Sequence, residues 1–308
     1  MSDQRGVALI TVLLVMALAA TIAAGLAADQ QRDIRRTTLL LHRQQARHYL
    51  SGAEIWAIQR LYQDRRDSRT DHADEDWAAE LPPLPVGGGW VKGSLSDLQG
   101  RFNLNNLLTK QGEIAPAQLE LLQRLLDRLG LDPDLAATIA DWLDPDPEPR
   151  FPGGAEDSLY RNLNPPYLGA NRPFASTTEL RLLSGVDGEL WRTLEPQVSA
   201  LPEPTAINVN TASEPLLGAL DPRLDEAQVR RLIQERAARP FTDGGAFIAA
   251  TGLEDFALPE DALSGTSDYF LLRAEARVGE AQVRLDSLLY RRASGLTRSL
   301  QRSEGGAL

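Results

Sequence analysis

Residues 7–28, VALITVLLVMALAATIAAGLAA, carry no charge over 22 positions, and their reading decides the fold. As a helix this run reaches roughly 33 Å, enough to cross a bilayer core of about 30 Å. Only six residues, MSDQRG, precede it. An ordinary secretory signal is cut behind its apolar core at small residues. Residues 24–28 offer such a place, so a cleaved signal, an uncleaved anchor and a cut in front of the core all stay open. The flanking charges do not choose between them. Arg5 lies on the leader side, while Arg32, Arg35, Arg36 and Arg43 lie beyond the run, against a leader held in the cytoplasm.

Outward from this run the helical pattern continues. Between residues 29 and 63 there is no proline and one glycine, Gly52. Leu39, Ala46, Leu50, Ala53, Ala57 and Leu61 form a narrow apolar stripe at helical spacing. The expectation is one helix of about 55 residues, apolar all round in its first half and one-sided in its second. Residues 64–80 are polar and residues 82–89 are rich in Pro and Gly, which predicts a loop. Residues 90–98 read as a strand. The best β signal spans residues 268–292: Phe270, Leu272, Ala274, Ala276 and Val278 share one face, Gly279-Glu280 turns, and Val283, Leu285, Ser287 and Leu289 return. Residues 294–308 are polar and predict a disordered tail.

Between the strands lies a helical block, with helices expected over residues 119–129, 134–143, 176–183, 214–220 and 225–238. Pro116 suits a first turn, and Ser176 and Asp225 suit N-caps. The block contains a degenerate repeat. Phe102-Asn103-Leu104-Asn105-Asn106-Leu107 parallels Ile207-Asn208-Val209-Asn210-Thr211-Ala212, and Arg172-Pro173-Phe174 parallels Arg239-Pro240-Phe241. The fold class expected is α+β: a long N-terminal helix and a small antiparallel-sheet head carrying a large inserted all-α domain with two SAM-like or helix-hairpin-like repeats. The divisions are 1–6 leader, 7–63 helix, 64–100 first part of the head, 101–206 and 207–263 the two repeats, 264–293 hairpin, and 294–308 tail.

Composition narrows the chemistry. A formal net charge of −11 disfavours a bare phosphate backbone as partner. No cysteine is present, so disulfides, thiolate metal sites and Cys nucleophiles are excluded. His42, His48 and His72 are the only histidines and lie in or near the long helix. No His is left in the globular part to activate a serine, so no hydrolase constellation forms. The second repeat resembles helix-hairpin-helix DNA-binding modules, whose hairpin N–H groups hold a phosphate. Here residues 220–225 read LDPRLD: no glycine, two carboxylates and a proline lacking an N–H. Residues 141–157 hold six carboxylates around a single cation, Arg150. Hard cations such as Ca²⁺ want six to eight oxygens. The segment is not an EF-hand loop, because Pro149 and Ala155 stand at its glycine and bidentate positions. From spacing alone, a solvated acidic loop and an ion site both remain.

The Arg5-Gly6/Val7 junction is similar to the cleavage site of type IV pilin-like precursors, which a membrane peptidase cuts after the Gly. Together with the long helix, Asp141-Trp142-Leu143-Asp144, Gly154-Ala155-Glu156-Asp157 and residues 207–212, it resembles the protein K family of minor pseudopilins of the bacterial type II secretion system. The resemblance runs over nearly the whole chain. It implies cleavage between Gly6 and Val7 by the prepilin peptidase and N-methylation of Val7. It also implies a single inner-membrane span with a periplasmic head, partners among the minor pseudopilins I, J and H, and no enzymatic activity. It implies Ca²⁺ held among Asp141, Asp144, Asp146, Glu156 and Asp157. Pilin-like subunits usually carry Glu at the fifth mature position, where it pairs with the amine of a neighbour; here that position is Thr11. An unpaired carboxylate in a bilayer is costly. A subunit lacking it needs no neighbour ahead of it, which suits the pseudopilus tip, where it would nucleate or cap assembly. A membrane-anchored DNA-binding protein of a competence-like system is the alternative. It predicts salt-sensitive duplex binding by residues 207–253, whereas the tip reading expects no nucleic acid partner.

Overall fold

The computed structural model describes residues 3–305, so Met1 and Ser2 of the expected leader and residues 306–308 of the expected tail lie outside it. Helix α1 runs unbroken over Asp3–Asp67, longer at both ends than the apolar pattern implied. Nothing interrupts it: it contains no proline, and Gly52 faces open space. None of its most apolar stretch is buried by the rest of the chain. Its second half lies across a sheet.

That sheet has five antiparallel strands in the order β1-β2-β7-β8-β9: β1 (Leu81–Val86), β2 (Gly89–Asp97) and, after the inserted domain, β7 (Tyr269–Val278), β8 (Ala281–Arg291) and β9 (Thr297–Glu304). Two expectations need correction. Residues 82–89 are not all loop, because Leu81–Val86 pairs with β2. Pro82, Pro83 and Pro85 are tolerated there because β1 is the sheet's edge, where no further strand needs their missing N–H groups. The tail from residue 294 is not disordered in its described part. Residues 297–304 extend the hairpin into a third strand, paired from Arg291↔Thr297 to Leu285↔Glu304. Polar composition misled there, because this outer strand buries few side chains and is held by its backbone pairing with β8.

The core beneath α1 follows the expected stripe. Ala46, Leu50, Ala53, Ala57 and Leu61 are buried against Phe270, Leu272, Ala274 and Leu289, while Leu39 is half-buried. Alanine at three of these positions lets the helix axis approach the sheet closely. The other sheet face makes a smaller cluster, where Leu201 of the insertion packs on Tyr269, Leu271 and Leu288.

The insertion is built from β3 (Phe102–Asn103), α2 (Pro116–Arg128), α3 (Leu135–Leu143), α4 (Asp157–Tyr160), α5 (Gly188–Leu194), β4 (Val198–Ser199), β5 (Ile207–Asn208), α6 (Glu214–Ala219), α7 (Glu226–Ala238), α8 (Gly244–Thr251) and β6 (Leu263–Ser264). Its repeat is visible in backbone pairing: β3 lies parallel to β4 and β5 parallel to β6. In each half one asparagine ties three segments together. Asn105 donates to the carbonyls of Phe174 and Leu201 and accepts the Phe174 N–H. Asn210 donates to the carbonyls of Phe241 and Gly265 and accepts the Phe241 N–H. The paired Asn and Arg-Pro-Phe motifs are therefore halves of one clamp. Both repeats share a single apolar core, from Phe102 to Leu263.

The sheet also fixes which way the insertion points. The β7–β8 turn at Gly279 sits against the His42 ring, and Tyr49 Oη donates to Gly87 O at the β1–β2 turn. At the opposite end Arg291, closing β8, pairs with Asp64 at 2.7 Å. From His42 to Asp64 the helix rises about 33 Å. The insertion leaves after Asp97 and returns before Tyr269, which are strand ends on the Asp64 side. It therefore sits on the end of the head farthest from the apolar run.

Candidate functional site

Three carboxylates converge where α3 ends. Asp141 lies in the last turn of α3 and Asp144 is its C-cap; the loop then returns so that Glu156, the N-cap of α4, faces both. Their oxygens lie within 4.8 Å of one another, and all three side chains are buried. Thr138 Oγ1 donates to Gly153 O at 2.6 Å, and the Arg150 N–H to Asp141 Oδ2 at 3.1 Å; both bonds hold the returning loop. A Cβ on Gly154 would come within 2.3 Å of Asp141 Oδ2, so only glycine admits that approach.

Charge in this cluster is underbalanced. Arg150 reaches Asp144 Oδ2 at 2.5 Å and lies 3.4 Å from Asp141 Oδ1. One guanidinium thus serves a cluster of three carboxylates and reaches two of them. Burial, with Asp141 and Asp144 beside it, pushes the Glu156 carboxyl up to about 7. Burial, with Asp144 near, pushes Asp141 up to about 6, and burial raises Asp144 as well. Asp141 Oδ1, Asp144 Oδ1 and Glu156 Oε1 are buried without any hydrogen-bond partner. Three orphaned anionic oxygens converging in one buried place fit a hard divalent cation.

The other two expected ligands are placed elsewhere. Asp146 is exposed; its Oδ1 accepts the Glu148 N–H and its Oδ2 lies 4.0 Å from Arg150. Asp157 accepts the Gly169 N–H with one oxygen and pairs with Arg161 through the other.

A second acidic group, Asp64, Asp71 and Glu75, escaped the sequence reading. It already holds its cation: Arg291 Nη2 binds both oxygens of Asp71 at 2.5 and 2.6 Å, and Nη1 binds Asp64 at 2.7 Å. One signal could have found it. Arg291 occupies the same alternating face of β8 as Leu285 and Leu289, an unusual place for a charge.

At the N-terminus, Gly6 and Val7 lie within the backbone of α1. Thr11 Oγ1 donates to Ala8 O at 2.9 Å, so its hydroxyl is satisfied within its own helix. The hairpin at residues 220–225 offers no phosphate nest. Arg128 of α2 donates to Leu224 O, Arg124 donates to Ala219 O, and Asp221 pairs with Arg223. The first repeat thus packs onto the hairpin of the second.

Comparison with known proteins places this geometry. Two domain families, both described as "Type II secretion system (T2SS), protein K", match residues 100–203 and 207–265. The chain is similar to type II secretion system protein K of Pseudomonas aeruginosa, 37% identical, with 98% of this chain and 93% of that protein covered. It is 34% identical to the Klebsiella pneumoniae protein of that name, covering 94% and 93%. A chain in the crystal structure of the GspK–GspI–GspJ complex of enterotoxigenic Escherichia coli superposes with a TM-score of 0.78 at 29% identity, covering 88% of this chain and 99% of that one.

Proposed function

The chain belongs to the type II secretion system protein K family and is a minor pseudopilin of that system, and from this premise we propose that it forms the tip of the pseudopilus. The observation that carries the tip position is the direction of the insertion. In a filament of parallel α1 helices, each head stacks on the membrane-distal end of the next. Here that end is covered by the insertion, so a subunit ahead would collide with it. The chain can lead a filament but not follow another subunit. Thr11 agrees with this placement, because the position offers no carboxylate to pair with a neighbour's amine.

Residues 7–28 span the inner membrane once, after the prepilin peptidase cuts between Gly6 and Val7 and Val7 is N-methylated. The head lies in the periplasm. Its work is assembly, with no enzymatic step, and its partners are the minor pseudopilins I and J, with H next to them. The complex named in the related crystal structure supports I and J directly. Asp141, Asp144 and Glu156 hold Ca²⁺, with Asp146 and Asp157 close in sequence. The ion supplies charge balance that Arg150 alone cannot. The acids of α3 and of the α4 N-terminus bind it from both ends of the loop and so close that loop.

Mixing the purified chain with I and J tests the tip reading. The expected product is a ternary complex containing one copy of this chain, with no self-polymer of it. Filaments made of this chain alone would overturn the reading.

A further inference from the structure

The insertion is joined to the head by two chain crossings, and around them lies a buried polar hub that no apolar packing explains. Asp71, Asp97, Gln99, Asn208, Ser267 and Arg291 are all buried. They come from the head and from the second repeat: Asp71 follows α1, Asp97 ends β2, Asn208 ends β5 in the second repeat, Ser267 precedes β7 and Arg291 ends β8. Asn208 Nδ2 lies 3.0 Å from Asp71 O, 3.0 Å from Asp97 Oδ2 and 2.9 Å from Ser267 Oγ. Asp97 Oδ2 also accepts from Ser267 Oγ at 2.7 Å and from the Thr211 hydroxyl. Arg291 clasps Asp71 and donates to Ser267 O at 2.8 Å. Gln99 adds a parallel tie, donating to Ala206 O at 3.0 Å and accepting the Asn208 N–H on its own carbonyl at 2.9 Å. A Cβ on Gly100 would come within 2.8 Å of the Thr211 backbone, so the two parts meet at main-chain distance.

The internal repeat supplies a control. Asn103 is the counterpart of Asn208 and is equally buried. Its Nδ2 donates to Glu203 O at 2.9 Å and to Asn106 Oδ1 at 3.1 Å, and its Oδ1 accepts the Leu201 N–H at 3.0 Å. All of those partners lie inside the insertion. The same residue at the same repeat position is therefore internal in the first half and crosses to the head in the second.

We propose that Asn208 and Asp97, with Asp71, Ser267 and Arg291, are positioning residues that set the orientation of the insertion on α1 and the sheet. Apolar contacts such as Leu201 on Tyr269 resist separation but permit sliding. Hydrogen bonds to a buried carboxylate are directional, and each partner left unpaired carries a desolvation penalty. The hub thus fixes the angle at which the insertion is carried beyond the end of α1.

The chain has no cysteine, so spin labels can be placed cleanly at Ser51→Cys on α1 and Gln234→Cys on α7 of the full chain in detergent. Pulsed dipolar spectroscopy then reads the distance between them. The parent should give one narrow distribution. Asn208→Ala and the shape-preserving Asp97→Asn should each at least double its width, while Asn103→Ala leaves it unchanged even as it lowers the unfolding temperature. Widths as narrow as the parent in both Asn208→Ala and Asp97→Asn would overturn the proposal. So would equal broadening by Asn103→Ala, which would mean general loosening. The measurement reads the joint alone, independently of where the subunit sits in a filament.

Discussion

Asp141 and Glu156 behave as proton-binding groups when the cluster holds no ion. Burial raises both above their ordinary values of 3.8 and 4.5, to about 6 and about 7. The stabilisation that comes from binding those protons is present below the unfolded values and is lost as pH climbs through 6 and 7. A bound cation would take the protons' place above that window. The thermal midpoint of chelator-treated protein should therefore fall between pH 5 and pH 7.5, and Ca²⁺ should raise it far more at 7.5 than at 5. At a hundredfold excess of free ion over its dissociation constant the gain is about 2.7 kcal/mol. Equal Ca²⁺ effects at both pH values would count against the site. Sequence reading gathered five acids here, and the structure brings three together. Nothing in the spacing separates Glu156 from Asp157; the difference is that Asp157 already answers the Gly169 N–H and Arg161. At the other end of the chain, the mass of the protein recovered from membranes reads the processing site. N-methylated Val7 at the terminus is expected, and Gly6→Val should leave the leader attached. A chain starting near Ala28 would contradict a pilin-like cut.

Helix α1 and strand β9 show what periodicity can and cannot reveal. The stripe from Ala46 to Leu61 was legible because α1 buries one face on a sheet, and burial imposes helical spacing. Strand β9 was not legible, because its side chains are mostly polar and exposed; backbone pairing with β8 and ion pairs to α1 hold it. Glu54 of α1 is buried; burial alone would raise its carboxyl, but bonds from Arg302 and Ser287 hold it below the ordinary value. Arg302 meets it through two nitrogens, at 2.9 Å from Nε and 2.7 Å from Nη2, and Arg47 pairs with Glu304 two residues on. Arg302→Ala leaves Glu54 with Ser287 as its remaining partner, and because the guanidinium is mostly exposed and screened the cost should be about 1 kcal/mol. Hydrogen exchange would show the loss concentrated in residues 297–304. An unchanged unfolding midpoint would mean that solvent already screens the exposed guanidinium. Strand β1 was missed for the opposite reason: its prolines spell loop, and only its place at the sheet edge makes them acceptable.

Over the whole molecule, the order of helix, strand, helical block and hairpin was readable from composition and pattern, and so was the internal repeat. The direction of the insertion was not. It depends on which strand ends meet which turn of α1, and that follows from Arg291, Asp64 and Asp71, three charges far apart in sequence whose meeting no local pattern announces. That direction places about half the chain ahead of the helix end, and on the proposed tip reading it would make the molecule one-ended as a filament subunit. Gold labelling of the head on pseudopili assembled with all their subunits tests this most directly. The account predicts label at one end of each filament and none along its length. Label repeated along the shaft would show that subunits can stack beyond the insertion, and would contradict it.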